Sequence, residues 1–423
     1  EKHDLPLVSF SMGFTGGANQ YEPAGKTGVA SFTSQMMSEG TTTRTGDEIS
    51  SALQLLGTSV SFGIGAEGGS VGFLSTKETF APTLAILTEE MLHPALPEAA
   101  LERLRARTLV SLSQAKDRTS SIAGVVFPKL LYGDQPYGRS MTEESAKSIT
   151  RDDVVAMHRQ FFQPARAVIT IVGDITPAEA TAALEKAFTA WPVGGEKATF
   201  AYPTPPAAKE TTIYIVDKPG ATQSTFAIGL VGPARNTADY YALRVMNSMF
   251  GEQFQSRINA NIREEKGYSY GVGSSFSYGR GPGPFRAGGD IQTNKTDSAL
   301  IEFVKEMKGI RGDRPVTDDE MSATKAALIN SIQSELASVN GIRSLIGTIY
   351  SQDLPEGYWR SFAQNISAVT KADVARVAKQ YLDMGHMSIV IVGDRKTIEP
   401  GLRATGIAPV VVLDIKGNPV QIN

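Results

Sequence analysis

The sequence predicts an α+β protein of two homologous domains, each a mostly antiparallel sheet flanked by helices. Three observations support this fold class. The 423-residue chain is longer than one hydrophobic core usually supports, so two domains of about 200 residues are expected. A segment near the middle of the chain recurs near its end. Strand-like and helix-like segments also follow one another without the regular alternation that is typical of a doubly wound parallel sheet.

The repeat consists of two segments that align without a gap at an offset of 220 residues. The first, "ITRDDVVAMHRQFFQPARAVITIVGD", ends at Asp174, and the second, "VTKADVARVAKQYLDMGHMSIVIVGD", ends at Asp394. Each copy predicts a capped helix, then a buried strand rich in Val and Ile, then a Gly-Asp turn. The predicted caps are a Thr with an acid three residues later: Thr150 with Asp153, and Thr370 with Asp373.

A stretch punctuated by Pro and Gly, "WPVGGEKATFAYPTPPAAKETT", lies between the two halves and has no periodicity. It predicts a linker. We therefore expect an N-terminal domain at residues 1–205 and a homologous C-terminal domain at residues 206–423. The segments "LPLVSFSMGFTGG" and "STFAIGLVGPAR" correspond loosely as the opening strands of the two halves.

The composition excludes several classes of protein. Apolar residues make up 41% and charged residues 20% of the chain, as in a soluble globular protein. The formal charge of −3 indicates no nucleic-acid partner. The chain has no Cys, which excludes disulfides and thiolate metal sites. No apolar run approaches the roughly 18–20 residues that span a bilayer.

One predicted helix has an unusually polar face. In "GVASFTSQMMSEGT", residues 28–41, the side chains fall on two sides of a helical wheel. The spacing of Ser31, Ser34 and Gln35 presents three polar groups toward one point. The apolar side consists of Val29, Phe32, Met36 and Met37, whereas Ser38 joins the polar side.

The frame of this helix resembles the zinc helix of the pitrilysin/insulysin-type metallopeptidases, the family that includes the mitochondrial processing peptidase. That family carries the inverted zincin motif H-x-x-E-H at this place, in which two His bind zinc and the Glu activates water. Three further stretches are typical of its bacterial two-domain branch: "GGANQYEPAGKTGVA", "DKPGATQS" and "NSMFGEQFQSRINANIREEKGYSYGVGSSF". The resemblance therefore covers both halves.

The resemblance implies that the zinc site of this chain is degenerate. Ser31 and Gln35 stand at the two His positions, and Ser34 stands at the Glu position. The third ligand of the family, a Glu, corresponds to Ser111, 76 residues beyond Gln35. Neutral hydroxyls and amides are poor zinc ligands, and none can act as a carboxylate base. We therefore expect no metal and no cofactor in this chain, and zinc in a partner subunit.

The His residues do not supply another zinc site. Only four are present, and no two of them are spaced at i, i+4. His158 lies on the repeated helix, and the corresponding residue of the second copy is Ala378. We interpret all four as surface or structural side chains: His3, His93, His158 and His386.

The second half predicts a helix followed by a strand in "IREEKGYSYGVGSSF", with Gly267 ending the helix. Arg263 lies in the last turn of the helix, off its apolar stripe, and Tyr270 lies three residues beyond the turn. The spacing predicts an apolar stripe of Phe254, Ile258 and Ile262. Period-two alternation predicts one strand face of Tyr268, Tyr270, Val272, Ser274 and Phe276.

The family places an Arg and a Tyr seven residues apart at this corner, and Arg263 and Tyr270 match that spacing. The resemblance implies that they bind the substrate backbone and stabilise the oxyanion in a zinc site of the other half or subunit. The residues alone favour a different interpretation, in which Arg263 is a solvated charge near a helix C-terminus and Tyr270 is an ordinary strand aromatic. The match to the family's local sequence and spacing favours the functional pair.

Three functions remain open from the sequence. The first is a non-zinc-binding subunit of a heteromeric zinc peptidase, paired like half of a clamshell with a homologous H-x-x-E-H subunit around extended peptides. The second is a structural core subunit of a respiratory membrane complex. The third is a stand-alone peptide-binding module. Residues 61–76 predict a Gly-spaced hairpin at the place where the resemblance implies an edge strand that holds an extended peptide. Gly-rich edges also occur for packing reasons.

We expect a periplasmic location. The sequence begins at Glu1 without an initiator Met, almost on the first strand, and the resemblance is to exported bacterial members.

Overall fold

Two β-sheets organise the chain. The computed structural model describes residues 1–192, 194, 199–202, 204–206 and 208–420. The predicted linker is therefore only partly covered, because several of its residues lie outside the described part. One compact unit comprises residues 1–112, 140–201 and 331–358, and the other comprises residues 113–139, 202–330 and 359–423.

The strands are between four and nine residues long. In chain order they are Leu7–Thr15 (β1), Val60–Ile64 (β2), Gly68–Thr76 (β3), Ala167–Gly173 (β4), Thr212–Asp217 (β5), Gln223–Val231 (β6), Ser269–Phe276 (β7), Pro284–Gln292 (β8), Ser388–Gly393 (β9) and Val410–Leu413 (β10).

The α-helices flank these strands. In chain order they are Ala18–Tyr21 (α1), Val29–Met36 (α2), Gly46–Leu55 (α3), Phe80–Leu92 (α4), Glu98–Ala115 (α5), Thr119–Tyr132 (α6), Glu143–Ser148 (α7), Arg151–Phe161 (α8), Pro177–Ala187 (α9), Tyr240–Asn247 (α10), Arg257–Asn259 (α11), Thr296–Lys308 (α12), Asp318–Leu336 (α13), Val339–Ser351 (α14), Tyr358–Ala368 (α15), Lys371–Tyr381 (α16) and Arg395–Ala404 (α17).

Short 3₁₀ and π-helical turns complete the helical structure. The 3₁₀ turns are Pro136–Gly138, Pro164–Arg166 and Thr293–Lys295, and the π-helical turns are Ser248–Glu252, Ala260–Glu265 and Gly309–Asp313. Within the described ranges, no helix is both long and apolar enough to cross a membrane.

The two sheets share one strand order. The first unit has an antiparallel sheet in the order β2-β3-β1-β4. The second unit has a sheet in the order β10-β5-β9-β6-β8-β7, in which β6, β7, β8 and β9 pair antiparallel. The order β7-β8-β6-β9 repeats β2-β3-β1-β4, and β5 and β10 are added in parallel beyond β9. The predicted fold class, α+β with mostly antiparallel sheets, is confirmed.

The matched helices of the sequence repeat begin at identical caps. Thr150 caps α8 and Thr370 caps α16, and each hydroxyl accepts a hydrogen bond from the N–H of the Asp three residues later. In return, each Asp carboxylate accepts a hydrogen bond from the N–H of its Thr. Each helix leads into the corresponding strand, β4 or β9. The capped helix predicted for both copies is confirmed. The buried strand is confirmed for β9, whereas β4 is only partly buried because it lies at an edge of its sheet.

Each sheet is covered on one face by a helix from the opposite half of the sequence. In the first unit, α14 packs on β1 and β4. In the second unit, α6 packs on β9 and β6. A hydrogen bond joins α14 to β1 in the first unit, because the buried Ser9 hydroxyl of β1 donates to Asn340 Oδ1 of α14 at 2.7 Å. The compact units are therefore assembled from non-contiguous segments.

The core of the first unit lies on the other face of its sheet. Alternate residues of β1 point into it, and Val8, Phe10 and Met12 are fully buried. The Phe10 ring stacks on Phe73 of β3 with the ring centroids 5.2 Å apart. Phe32 of α2 is also fully buried in this core, so the apolar face of α2 fixes how its polar face is oriented.

Candidate functional site

The polar helix predicted from the sequence is α2, and its two faces are as expected. The apolar side chains predicted for one face are at most 1% exposed. The helix begins after Gly28, which has a left-handed φ of 107°. The Glu22 carboxylate accepts hydrogen bonds from the N–H groups of Gly28 and Ala30, both at 2.9 Å, and so caps the first turn.

The polar side chains of α2 bond to one another and to the backbone. The Gln35 side-chain amide donates to the Ser31 hydroxyl at 3.2 Å and to the Ser31 carbonyl at 3.3 Å. The Ser34 hydroxyl donates to the Ala30 carbonyl and accepts from the Ile64 N–H, both at 2.9 Å. Ile64 ends β2, so Ser34 ties this helix to the edge strand of the sheet.

These side chains do not fit a zinc ion. The donor set of Ser31, Ser34 and Gln35 consists of hydroxyls and a neutral amide, which already satisfy each other and the backbone. Ser111, the fourth predicted position, is exposed on α5. In the described part of the chain, no group of three or more His, Asp or Glu side chains is placed to hold a metal ion. No metal-dependent step is assigned to this helix.

The His side chains have structural contacts. His158 lies 2.8 Å from the Met91 carbonyl, packs against the tilted ring of Phe162, and has a pKa lowered by burial. His386 pairs with Asp383 at 2.6 Å. These contacts agree with the structural interpretation of these two residues.

The predicted Arg and Tyr both lie in the second unit. Arg263 is on a helical segment that side-chain contacts hold in place, and Tyr270 is on the following strand, β7. The Arg257 guanidinium at its start makes two hydrogen bonds to the Glu320 carboxylate, at 2.7 and 2.8 Å. Burial alone would raise the pKa of Glu320, but Arg257 and the Thr317 cap lower it to about 2. Asn261 donates to Glu302 and Glu306 of α12 at 2.8 and 2.7 Å. Arg263 is thus carried on a fixed support.

Gly267 ends this helical segment, as predicted. Its φ is 67°, and its N–H donates to the Arg263 carbonyl at 3.2 Å. The Tyr268 N–H donates to the Ile262 carbonyl at 2.9 Å and closes the last turn.

The guanidinium of Arg263 lies on an exposed aromatic ring that sequence reasoning assigned to the core. Arg263 Cζ is 4.2 Å from the centroid of the Phe254 ring, and Nη1 is 3.2 Å from the Glu264 carboxylate. The predicted packing of Phe254 with Ile258 and Ile262 is wrong, because Phe254 is 64% exposed whereas both Ile residues are fully buried. The reason is local, since α11 begins only at Arg257 and Phe254 lies outside the helix.

Tyr270 is also turned away from its predicted face. Val272 and Ser274 are both 8% exposed, but Tyr270 is 91% exposed, so the predicted common face is wrong. A β-bulge is the cause. Ser269 pairs with Ile291 and Val272 pairs with Gly289, which leaves one extra residue in β7.

Polar contacts hold this bulge in place. The Ser269 hydroxyl accepts a hydrogen bond from the Gly271 N–H at 3.0 Å and lies 2.6 Å from the Asp290 carbonyl. The Asn259 side chain joins the bulge to the segment that precedes Arg263. It accepts a hydrogen bond from the Val272 N–H at 3.1 Å and donates one to the Phe254 carbonyl at 2.6 Å. In the described part of the chain, Tyr270 makes no hydrogen bond, ion pair or ring contact.

The predicted hairpin is present, and its first strand lies at an edge of its sheet. Strand β2 pairs only with β3 among the described residues, so its other side does not pair with a further strand there, although Ser34 already binds the Ile64 N–H. In β2, Ser61 and Gly63 are exposed and Phe62 is partly buried. Such an edge can accept an extended chain as a further strand.

Comparison with known proteins adds to this description. A sequence model described as insulinase (peptidase family M16) matches residues 8–144, and one described as the peptidase M16 inactive domain matches residues 148–328. The first range contains α2, and the second contains Arg263 and Tyr270. An uncharacterized zinc protease of Mycobacterium leprae is 24% identical over 424 residues, covering 94% of this chain and 91% of its own length.

The names of two further relatives include the words non-peptidase or inactive domain. The non-peptidase homolog YmxG of Helicobacter pylori is 21% identical over 403 residues, covering 94% of this chain and 91% of its own length. The crystal structure of a peptidase M16 inactive domain from Pseudomonas fluorescens has a TM-score of 0.84 and 24% identity, and covers 92% of this chain and 94% of that one.

Fold and site together define the class: a two-domain α+β protein of the peptidase type whose zinc helix carries no metal-ligating side chains. The two family models match most of the chain, on either side of residues 145–147. The chain belongs to peptidase family M16, which confirms the resemblance drawn from its motifs.

Proposed function

We propose that this chain is the non-zinc-binding subunit of a heteromeric zinc peptidase. A homologous partner with an intact H-x-x-E-H motif supplies the metal, and this chain supplies Arg263 and Tyr270 in trans. The observation that carries the proposal is a contrast within one molecule. The helix α2 has no metal-ligating side chain at the positions of the family's ligands, yet the Arg and Tyr positions are filled, with Arg263 partly exposed and Tyr270 91% exposed.

The chemistry of the two side chains suits this role. Cleavage of a peptide bond develops negative charge on the carbonyl oxygen of the substrate. A phenol O–H and a guanidinium N–H donate hydrogen bonds to such an oxygen, and the charged donor also binds substrate backbone carbonyls. Tyr270 is available for this because its hydroxyl has no partner among the described residues. Arg263 keeps donors available because its guanidinium contacts only a ring face and one carboxylate among the described residues.

The edge of β2 supports a peptide substrate. Its backbone N–H and C=O groups can pair with an extended chain of any sequence, which suits a peptidase that acts on unfolded peptides. Ser34 anchors the end of this strand through the Ile64 N–H. Ser34, which stands at the position of the family's catalytic Glu, therefore has a structural role in this proposal.

An affinity experiment tests whether the partner exists. The full chain, tagged, is used to capture proteins from lysate of its own organism, and bound proteins are identified by mass spectrometry. The proposal expects a stoichiometric chain of similar size that carries H-x-x-E-H, and peptidase activity only when both chains are combined. Recovery of respiratory membrane-complex subunits, or of the chain alone, would contradict the proposal and favour the structural or stand-alone function.

We also propose a periplasmic location, on the resemblance to exported bacterial members of the family. Fractionation of cells that express the chain from its complete reading frame tests this. The chain is expected with periplasmic marker enzymes, and recovery with cytoplasmic markers would contradict the proposal.

A further inference from the structure

A cavity of about 920 Å³ lies in the second unit, apart from Arg263 and Tyr270. Its walls come from α12, the π-helical turn that follows α12, the end of α16, the loop before β9 and the loop after α17. This volume is within the range of sites that hold small organic ligands. Neither the sequence motifs nor the proposed peptidase role uses this cavity.

Cationic side chains dominate the charge around the cavity. Lys308, Arg311 and Lys379 line it, against a single carboxylate, Asp313. In the described residues, neither lysine ammonium lies within salt-bridge distance of a carboxylate, and both lysines are exposed. The whole chain has a formal charge of −3, so this cluster is a local reversal of the overall charge. Such a cluster attracts an anion.

The fold brings these cations together from separate elements. Helix α12 ends at Lys308, and the chain changes direction in the π-helical turn Gly309–Asp313. Gly312 has a φ of 144°, and an added Cβ there would lie 3.7 Å from the Lys379 side chain, so α16 closely approaches the turn. Arg311 donates to the Leu382 carbonyl at 2.8 Å, which fixes its guanidinium at the wall.

Apolar side chains form the inner part of the cavity. Phe303 and Met307 of α12 lie against it, and the loop before β9 adds Met384 and Met387. Thr211 holds this loop, because its hydroxyl donates to the Met384 carbonyl at 2.6 Å and accepts from the Met387 N–H at 2.9 Å. Methionine side chains adapt to ligands of irregular shape. A cationic mouth above an apolar interior fits a ligand with both characters.

We propose that this cavity binds a small amphipathic anion, a carboxylate or phosphate head on an apolar chain. The head is held by Lys308, Lys379 and Arg311. The apolar chain lies against the partly exposed side chains of the lining, Val304, Met384 and Ile407, above the buried Phe303. The inference stands on charge complementarity and on the apolar interior. It is independent of the proposed peptidase role.

Isothermal titration of the full chain tests this site. Decanoate and decyl phosphate, below their micelle concentrations, carry the proposed chemistry, whereas acetate and inorganic phosphate carry the head alone. The expected result is one saturable site for at least one decyl ligand, at least tenfold tighter than for its head alone. Raising the salt concentration from 50 to 500 mM should weaken binding by about an order of magnitude, because salt screens such exposed charges.

Matched variants locate the site. The double variant Lys308→Gln/Lys379→Gln is expected to weaken binding at least tenfold, and Met384→Trp is expected to weaken it by filling the interior while leaving the cations in place. Lys416→Gln, an exposed lysine of the same unit outside the cavity, serves as the control and should bind like the unmodified chain. Circular dichroism and the thermal midpoint confirm that each variant is folded.

The outcomes are decisive in both directions. Tighter binding of decanoate would show that the site prefers a carboxylate head, and tighter binding of decyl phosphate would show that it prefers a phosphate head. Absence of saturable binding to the folded chain overturns the proposal. Equal affinity in the double variant, or in Met384→Trp, also overturns it, because the ligand would then bind elsewhere.

Discussion

Tyr270 and Arg263 differ in how their environments prepare them for function. Tyr270 is 91% exposed at a β-bulge, whereas the Arg263 guanidinium is oriented by the ring of Phe254 and the carboxylate of Glu264. A bulge beside a functional residue commonly serves to re-aim a side chain. The bulge therefore accounts for the exposure of a phenol that simple alternation would have placed beside buried Val272.

Replacing Phe254 tests whether its ring positions Arg263. In the reconstituted heterodimer, Phe254→Leu should lower kcat/KM about 2- to 5-fold, because an exposed cation–π contact contributes about 0.5–1 kcal/mol. Phe254→Tyr keeps the aromatic face and should retain the rate. Peptide cleavage assayed at several substrate concentrations separates KM from kcat. A loss as large with Tyr as with Leu would contradict a role for the ring.

A buried acid in the first unit predicts a pH-dependent stability. Glu90 of α4 is fully buried, and burial raises the pKa of its carboxyl to about 8 despite the opposing effect of the nearby Ser38 hydroxyl. The unfolded chain releases this proton near pH 4.5, so the folded state binds more protons between the two values. Stability therefore falls as pH rises from about 5 to 8, by at most about 1.4 kcal/mol per pH unit from this group.

The neighbouring acid provides the control for Glu90. Burial alone would raise the pKa of Glu89, but hydrogen bonds from Thr41 and Thr43 lower it. Its contribution is present at neutral pH and is lost as pH falls through its folded pKa. Urea unfolding at pH 5.5 and 8.5 should show that Glu90→Gln removes the loss of stability at high pH and that Glu89→Gln does not. An unchanged pH slope in Glu90→Gln would contradict this account.

At the residue scale, the sequence specifies the chemistry of a position but not the tertiary contacts around it. The absence of zinc ligands at Ser31, Ser34 and Gln35 follows from the residue types, and their side chains bond to one another and to the backbone. The environment of Phe254 could not be predicted, because its spacing from Ile258 fits a helix that begins only three residues later. The contact with Arg263 depends on that tertiary detail and has no signal in the sequence pattern.

At the scale of elements, the duplicated helix caps carry a measurable prediction. Thr150→Ala and Thr370→Ala each remove a side-chain acceptor from an N-cap, so each should destabilise the protein by about 1 kcal/mol. Thr→Ser at the same positions keeps the acceptor and serves as the control. The urea midpoint is the measurement. A loss in the Ser variants equal to that in the Ala variants would show that the hydroxyl is not responsible.

Repeated elements were the most predictable part of the fold, whereas irregular ones were not. The cap, helix and strand of each copy follow from a local pattern, and both copies form as expected. The bulge in β7 was not predictable from alternation, because it depends on Ser269 and on pairing with β8 across the sheet. The strands β5 and β10 likewise join beyond β9 through long-range pairing.

At the scale of the whole molecule, the two compact units are interleaved along the chain. Helix α14 of the second half covers β1 and β4, and helix α6 of the first half covers β9 and β6. Hydrophobic periodicity indicates that a helix has a face to bury but not which sheet it will cover. The sequence repeat could therefore predict two homologous halves without predicting this exchange of helices.

The exchange predicts that the first half does not fold alone. Residues 1–205 lack α14, so the face of β1 that carries Ser9 loses its cover, and α6 loses its sheet. We expect this fragment to show no cooperative urea transition, and coexpression with residues 206–423 to restore one. The full chain is the control. A cooperative transition in the isolated fragment would contradict the expectation.

The most direct test of the central claim is kcat for Tyr270→Phe in the heterodimer with the zinc-bearing partner. Removing one oxyanion donor typically costs about 10²–10³ in kcat, so the account predicts a loss of that size with the zinc content of the partner unchanged. Tyr268→Phe, two residues earlier, is the matched control and should keep the full rate. Full activity of Tyr270→Phe would show that this chain does not complete its partner's site.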